Sequence, residues 1–206
     1  MGTNRLEAFS DGVIAVAITL LVLGITVPPV PLHGHTDLAH ALGSEWAEYA
    51  AYAVSFATIG IIWINHHAMI ARLREADQSI LILNLVLLMT IGLLPFATKL
   101  MATYVSAGRD ERLAAAAYSG SFLLMAVAFA ALNRHILLGR SQLISPEMPL
   151  AQRRRILLRS ISGLIPYAVA TALAVVSAYV TLAICAALAL FYALPLASGS
   201  VGSTGG

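Results

Sequence analysis

Residues 5–11, RLEAFSD, gather a guanidinium, two carboxylates and a hydroxyl, and twenty-one residues without an ionisable group follow Asp11. A second polar group stands at WINHH, where Trp63, Asn65, His66 and His67 close another apolar run; Asn84 lies near the start of the next. Carboxylates, imidazoles, an amide and an indole N–H can ligate a cation, move a proton, or hydrogen-bond one another away from water. Spacing separates these uses. His66 and His67 are adjacent, hence about 100° apart on a helix, and cannot both turn to one ion from one helix face. The expected use is a structural knot in which Arg5, Ser10 and Asp11 hold the first helix and a buried carboxylate meets a histidine and an indole N–H. No metal and no other cofactor is expected. His33, His35 and His40 with Asp37 have a loosely zinc-like composition and read as a solvated loop. No nucleophile–base pair, phosphate-binding loop or dinucleotide fingerprint is present, so the chain does not read as an enzyme.

The elements that must position these groups are membrane helices. The 206 residues are 59% hydrophobic and 11% charged, with a mean hydropathy of +0.85. A soluble domain is near half apolar and a quarter charged, and a bilayer core needs ~20 apolar residues per crossing. Six apolar segments are marked at 7–26, 44–67, 79–103, 113–138, 160–177 and 180–196. The first ends at Pro28 and Pro29, Pro95 is expected to kink the third, and the uncharged run over the last two is divided near Ser177–Tyr179. The first segment carries acidic as well as basic residues and lacks a clean cleavage site, so it reads as a retained helix. Residues 1–197 form one six-helix domain; 198–206, rich in Gly and Ser, read as a disordered or appended linker.

Charge sets the expected orientation. With the N-terminus inside, nine of the twelve basic residues fall on the inner side: Arg5, Arg72, Arg74, Arg134, Arg140, Arg153, Arg154, Arg155 and Arg159. Lys99, Arg109 and Arg112 fall outside, which places both termini in the cytosol. The Arg153–Arg155 run reads as an orientation signal on a loop, and Trp46 and Tyr49 as an interfacial aromatic pair. A net charge of +2 makes no basic face for nucleic acid. The single cysteine, Cys185, allows no internal disulfide.

On the first helix Gly12, Val16, Thr19 and Leu23 fall within about 60° of one another, with Leu20 at the border and Asp11 more than 90° from the stripe centre. If the stripe faces an axis, Asp11 points sideways into neighbouring helices. Trp63, Asn65, His66, His67 and Asn84 come level with it there.

These residues carry a resemblance. Arg5, Phe9, Ser10 and Asp11 match the Arg-x-x-x-Phe-Ser-Asp signature of the lysosomal and endosomal potassium-channel family, transmembrane protein 175. The likeness extends through the six-segment pattern, WINHH at 63–67 and NLVLLMTIGLLPFATKL at 84–100. Eukaryotic members carry two six-helix repeats, so a single repeat resembles the bacterial form. The resemblance implies that first helices from four repeats line a pore. It implies a narrowest aliphatic ring at Val16, a threonine ring at Thr19, and further aliphatic rings at Leu20 and Leu23. Val16 is smaller than the isoleucine or leucine usual at the constriction, and Ala15 replaces a polar residue found in some members. The glycine-rich carbonyl filter of ordinary potassium channels has no counterpart here.

The expectation is therefore an all-α membrane protein of six transmembrane helices, whose first helix lines the central pore of a homotetramer. It would conduct cations passively across a bacterial inner membrane, favouring potassium over other monovalent cations, with membrane lipid and its own copies as partners. The rival readings are a secondary ion transporter, or a membrane metal-binding or enzymatic protein built on the histidines. Transporters tend to break helices around midplane polar sites, whereas the first helix here is uninterrupted and has only Thr19 in its middle.

Overall fold

Helices occupy the apolar runs, and two of the rods break just ahead of a proline, Pro95 and Pro166. The computed structural model describes residues 3–28, 37–139, 143–144 and 148–198. Helix α1 is Thr3–Val22. A short α2, Leu38–Ser44, starts at Asp37, whose carboxylate accepts the Ala39 N–H at 3.2 Å. Helix α3 is Trp46–Ile70. Helix α4, Gln78–Gly92, is capped by Asp77 through the Ile80 N–H at 2.8 Å, satisfying one of the donors a helix start leaves open. Helix α5, Leu94–Ala107, continues the same rod after a break at Leu93. Pro95 causes that break, since its ring conflicts with the carbonyl of Ile91 four residues back. Gly108, at φ 62°, closes α5 in the left-handed conformation that glycine adopts without steric cost.

Helix α6, Glu111–Arg134, runs on through a wider π turn at His135–Gly139. Helix α7 is Leu150–Ser162 and α8 is Leu164–Leu173; Pro166 imposes the break between them. Helix α9, Ala178–Ser198, returns antiparallel to α8, and the Thr181 hydroxyl donates to the Ala170 carbonyl at 3.2 Å.

Among the described residues six rods result: α1, α3, α4–α5, α6, α7–α8 and α9. Four are long and apolar enough to cross a membrane: Trp46–Ile70, Gln78–Ala107, Glu111–Gly139 and Leu150–Leu173. The first half of α1 carries Arg5, Glu7 and Asp11, and α9 contributes a shorter apolar stretch, Ala178–Leu194. Helix α6 is the hub, packed on α4, α5, α7, α8 and α9. Small residues such as Ala114, Ala115 and Ser119 are buried along it, letting backbones approach where lipid supplies no hydrophobic drive between helices. Tyr118 and Phe122 fill its centre edge to face at 4.7 Å. Ser55 ties Tyr118, at 3.1 Å, to Thr98, at 2.8 Å.

Several boundaries differ from expectation. The fifth rod begins at Leu150, ten residues before the expected 160, so Arg153, Arg154, Arg155 and Arg159 lie on helix α7 and not on a loop. The segment LAQRRRILLRSIS lacks proline and glycine and is made largely of good helix formers; an apolarity criterion overlooks it because its four arginines make the stretch polar on average. The expected outer loop at 33–40 is helical from Leu38. His33, His35 and Arg140, like residues 199–206 of the Gly/Ser-rich tail, lie outside the described residues. The break between the last two rods falls at 174–177, against an expected Ser177–Tyr179.

Candidate functional site

Helix α1 packs on α3, α4 and α5 through Leu6, Ser10, Ile14, Ala17 and Leu21. Those buried positions recur every three or four residues, which is one face of a helix. The opposite face is open. Phe9 is 53% exposed, Val16 57%, Leu20 45% and Leu23 76%, and Gly12 and Thr19 are exposed between them. Phe9, Gly12, Val16, Thr19 and Leu23 keep alternating spacings of three and four, the repeat of a seam between helices. Thr19 donates its hydroxyl hydrogen to the Val16 carbonyl at 2.9 Å, so its oxygen lone pairs remain available on the open face.

Two polar clamps hold the packed face, one at each end. At the first, Asn84 donates to the Ser10 hydroxyl at 2.9 Å, and Ser10 donates to the Leu6 carbonyl at 2.8 Å. The His66 Nε2 lies 2.8 Å from Asn84 Oδ1. Because that oxygen can only accept, Nε2 carries the hydrogen and the chain of donors runs one way, from α3 through α4 to α1. His66, Asn84 and Ser10 are all fully buried. Nearer the surface, the Trp63 indole donates to Asp11 Oδ1 at 2.9 Å, and His67 Nδ1 lies 2.7 Å from Glu7.

The two adjacent histidines therefore serve different partners. Ligand atoms of Glu7, Asp11 and His67 all lie within 4.8 Å of one another, close enough to share a cation, while the His67 ring and the Trp63 indole already face the two carboxylates. Asp11 meets the indole; of the two histidines expected level with it, His67 pairs with Glu7 alongside and His66 turns to Asn84. Asn65 does not join the knot, since its amide donates to the Ile61 carbonyl of its own helix at 2.8 Å. Arg5 is exposed and forms no ion pair among the described residues.

The second clamp has no counterpart in the sequence reading. Lys99 on α5 donates to the Gly24 carbonyl just beyond α1, at 2.7 Å, and to Glu48 Oε1 on α3, at 2.9 Å. Glu48 also accepts the backbone N–H of Thr26 at 2.6 Å, and the Thr26 hydroxyl. A cation on the open carbonyls past a helix end is favoured by both hydrogen bonding and the helix dipole. Gly24 sits close here: a Cβ would come 3.1 Å from the Leu21 carbonyl, a tight contact, and into ordinary contact with the Lys99 stem. One lysine and one glutamate inside apolar runs at the same end of the bundle were a usable signal, because intramembrane charges generally find each other.

Residues 5–95 match the family described as the endosomal/lysosomal potassium channel TMEM175. Over 190 residues the chain is 43% identical to a protein of Streptomyces collinus named as a potassium channel, covering 92% of this chain and 91% of the relative. The chain belongs to the TMEM175 family. A crystal structure of a TMEM175 homologue from Chamaesiphon minutus, described as lysosomal potassium-selective, superposes with a TM-score of 0.82 at 36% identity, over 94% of this chain and 97% of that one. The TMEM175 of Rattus norvegicus, named as an endosomal/lysosomal proton channel, is 36% identical over 117 residues, which are 54% of this chain and 23% of the rat protein. In this TMEM175 chain the signature residues divide sharply: Ser10 and Asp11 are bonded within the bundle, whereas Phe9 stands on the open face.

Proposed function

We propose that this TMEM175 chain is a potassium-favouring cation channel of the bacterial inner membrane, assembled as a homotetramer about the open face of α1. The observation that carries the reading is that face: uncharged from Gly12 to Leu23 and exposed, on a helix clamped at both ends of its other side. A single helix cannot enclose a pore, and closed rotational symmetry is the usual way for identical chains to surround one. The three–four spacing of Phe9, Gly12, Val16, Thr19 and Leu23 suits packing between copies of α1 around such an axis. The six rods are read as six spans with both termini cytosolic, in line with arginine enrichment at one end.

Conduction is passive and the protein is not an enzyme. Val16, Leu20 and Leu23 form apolar constrictions that gate by dewetting, and Thr19 presents a ring of hydroxyl oxygens to a partly dehydrated ion. Asp11, Trp63, His66 and Asn84 hold the pore helix and do not touch the ion. Support for potassium comes from the bacterial relatives named as potassium channels. An uninterrupted α1 disfavours a transporter, which would place broken helices around a midplane site.

The test is a planar-bilayer recording with potassium on one side and sodium on the other. A reversal potential displaced toward the potassium equilibrium, with unitary currents beyond any transport cycle, is the expected result. A reversal potential that follows only an imposed pH gradient would instead assign proton conduction and refute the potassium reading.

A further inference from the structure

A cavity of about 180 Å³ lies among α3, α6, α7, α8 and α9, and none of its lining residues belongs to α1. Its lining on α3 runs from Thr58 to Ala68, ten residues of helix or about 15 Å. The inner wall is apolar, with Ile62, Met125, Phe129 and Ala189; Arg72 and Arg159 line it where α3 has ended and α7 is about to.

Two groups in this lining lack the partners their chemistry calls for. Arg72 is half-buried, and no carboxylate is within ion-pair distance of it, or of Arg159, among the described residues. Burial pushes the Arg72 guanidinium below its ordinary value, with no neighbouring acid to offset the effect; it stays charged at neutral pH. Asn133 is 2% exposed. Its amide nitrogen donates to Ser160 at 2.6 Å, and Ser160 donates onward to the Ile156 carbonyl at 3.1 Å. That sequence of donors fixes the amide orientation, and the remaining atom, Asn133 Oδ1, is buried with no partner among the described residues. Buried polar atoms are nearly always bonded, so an orphan acceptor in a cavity points to a donor supplied from outside.

A guanidinium without an anion, an acceptor without a donor and an apolar wall together describe one amphiphile. We propose that this cavity binds one anionic glycerophospholipid whose headgroup carries a free hydroxyl, as phosphatidylglycerol does. Its phosphate accepts from Arg72 and Arg159, its headgroup hydroxyl donates to Asn133 Oδ1, and its first methylenes lie along Ile62, Met125 and Phe129. The volume suits a headgroup and the start of a chain, with the remaining acyl carbons in the bilayer. A choline headgroup offers no hydroxyl, and an inorganic anion leaves the apolar wall unused.

The inference is independent of ion conduction, because its test reads binding and not current. Delipidated protein in detergent is titrated with short-chain phosphatidylglycerol, phosphatidylcholine of equal chain length, or sodium phosphate, while melting temperature and lipid retention in native mass spectrometry are followed. Phosphatidylglycerol is expected to raise the melting temperature with dose, as a ligand of the folded state does; the other two are not. Loss of one charge-assisted contact, in Arg72→Gln or Arg159→Gln, weakens binding about tenfold or more, and the double variant abolishes the shift. Ala68→Phe, which fills the apolar slot and leaves both arginines in place, also abolishes it. Should the double variant fail to fold, Ala68→Phe and the headgroup comparison on the unmodified protein still decide. An equal shift from phosphatidylcholine, a full shift from phosphate alone, or undiminished binding by Ala68→Phe would each overturn the assignment.

Discussion

Replacing Asn84 with leucine removes the middle of the one-way donor chain that joins α3, α4 and α1. Asn84 makes two interhelical bonds, to His66 at 2.8 Å and to Ser10 at 2.9 Å. Judged by water-soluble proteins, each buried group left unpaired costs about 1–3 kcal/mol. Membrane helices set a lower scale: interhelical hydrogen bonds average about 0.6 and reach about 1.7 kcal/mol, because the membrane-dispersed state also finds partners. The second scale applies to rods packed in a bilayer, so two bonds give a loss of about 1–3 kcal/mol. Leucine is close to asparagine in size and adds no large cavity.

The informative experiment is a double-mutant cycle of Asn84→Leu and His66→Leu, read by denaturant titration of helicity in detergent. Removing both ends of one buried bond strands fewer groups than removing either end alone, so the double variant should cost less than the sum of the singles. The expected coupling is about 0.6–1.7 kcal/mol. Costs that add to within about 0.3–0.5 kcal/mol would show no coupling and refute the donor chain as a stabilising unit. His67→Ala is the control: its side chain is 57% exposed in the pair with Glu7, and such pairs contribute no more than about 1 kcal/mol.

Asp11→Ala removes a bond from Trp63, which is 42% exposed, so the expected loss is about 1 kcal/mol, nearer an ordinary hydrogen bond than a fully buried ion pair. In the proposed tetrameric channel it should lower the melting temperature with unitary current retained; a stable assembly with reduced potassium flux would give Asp11 a conduction role instead. Lys99→Met leaves the buried Glu48 carboxylate with only its Thr26 donors. The usual 3–5 kcal/mol for breaking a buried pair falls to about 1–3 kcal/mol here, because Lys99 is 38% exposed, and adding Glu48→Gln should restore part of the melting temperature. In bilayer recordings Val16→Asn should raise current and weaken selectivity by easing wetting of the constriction proposed at Val16; unchanged conductance in assembled channels would refute that placement. Thr19→Val should leave assembly intact and lower the potassium-to-sodium permeability ratio, and an unaltered ratio would end the selectivity role assigned to Thr19.

The all-helical class and the break at Pro95 were legible in the chain because each depends on neighbours in sequence. Hydropathy over a window marks the rods, Pro95 marks where the third bends, and 100° per residue puts Gly12, Val16 and Thr19 on one side of α1, with Leu23 in the turn just past its end. The same periodicity put Asp11 off that stripe. Helix α7 escaped because its four arginines lower the average that an apolar window measures.

Only the tertiary structure decided which polar groups meet. Asp11 bonds Trp63, 52 residues away, while His66, three residues beyond that indole, turns to Asn84 and through it to Ser10, 74 residues before Asn84. Asn65 spends its amide on its own backbone, and Glu48 finds Lys99 across 51 residues. The cavity with Arg72, Arg159 and Asn133 is assembled from five helices. A residue's angle on its own helix is a local quantity, but the rotation and lateral neighbours of each rod are set by packing along the whole bundle. In a membrane, where the apolar faces of the rods are nearly interchangeable to lipid, that packing depends on close-fitting small residues and on which buried donors find acceptors.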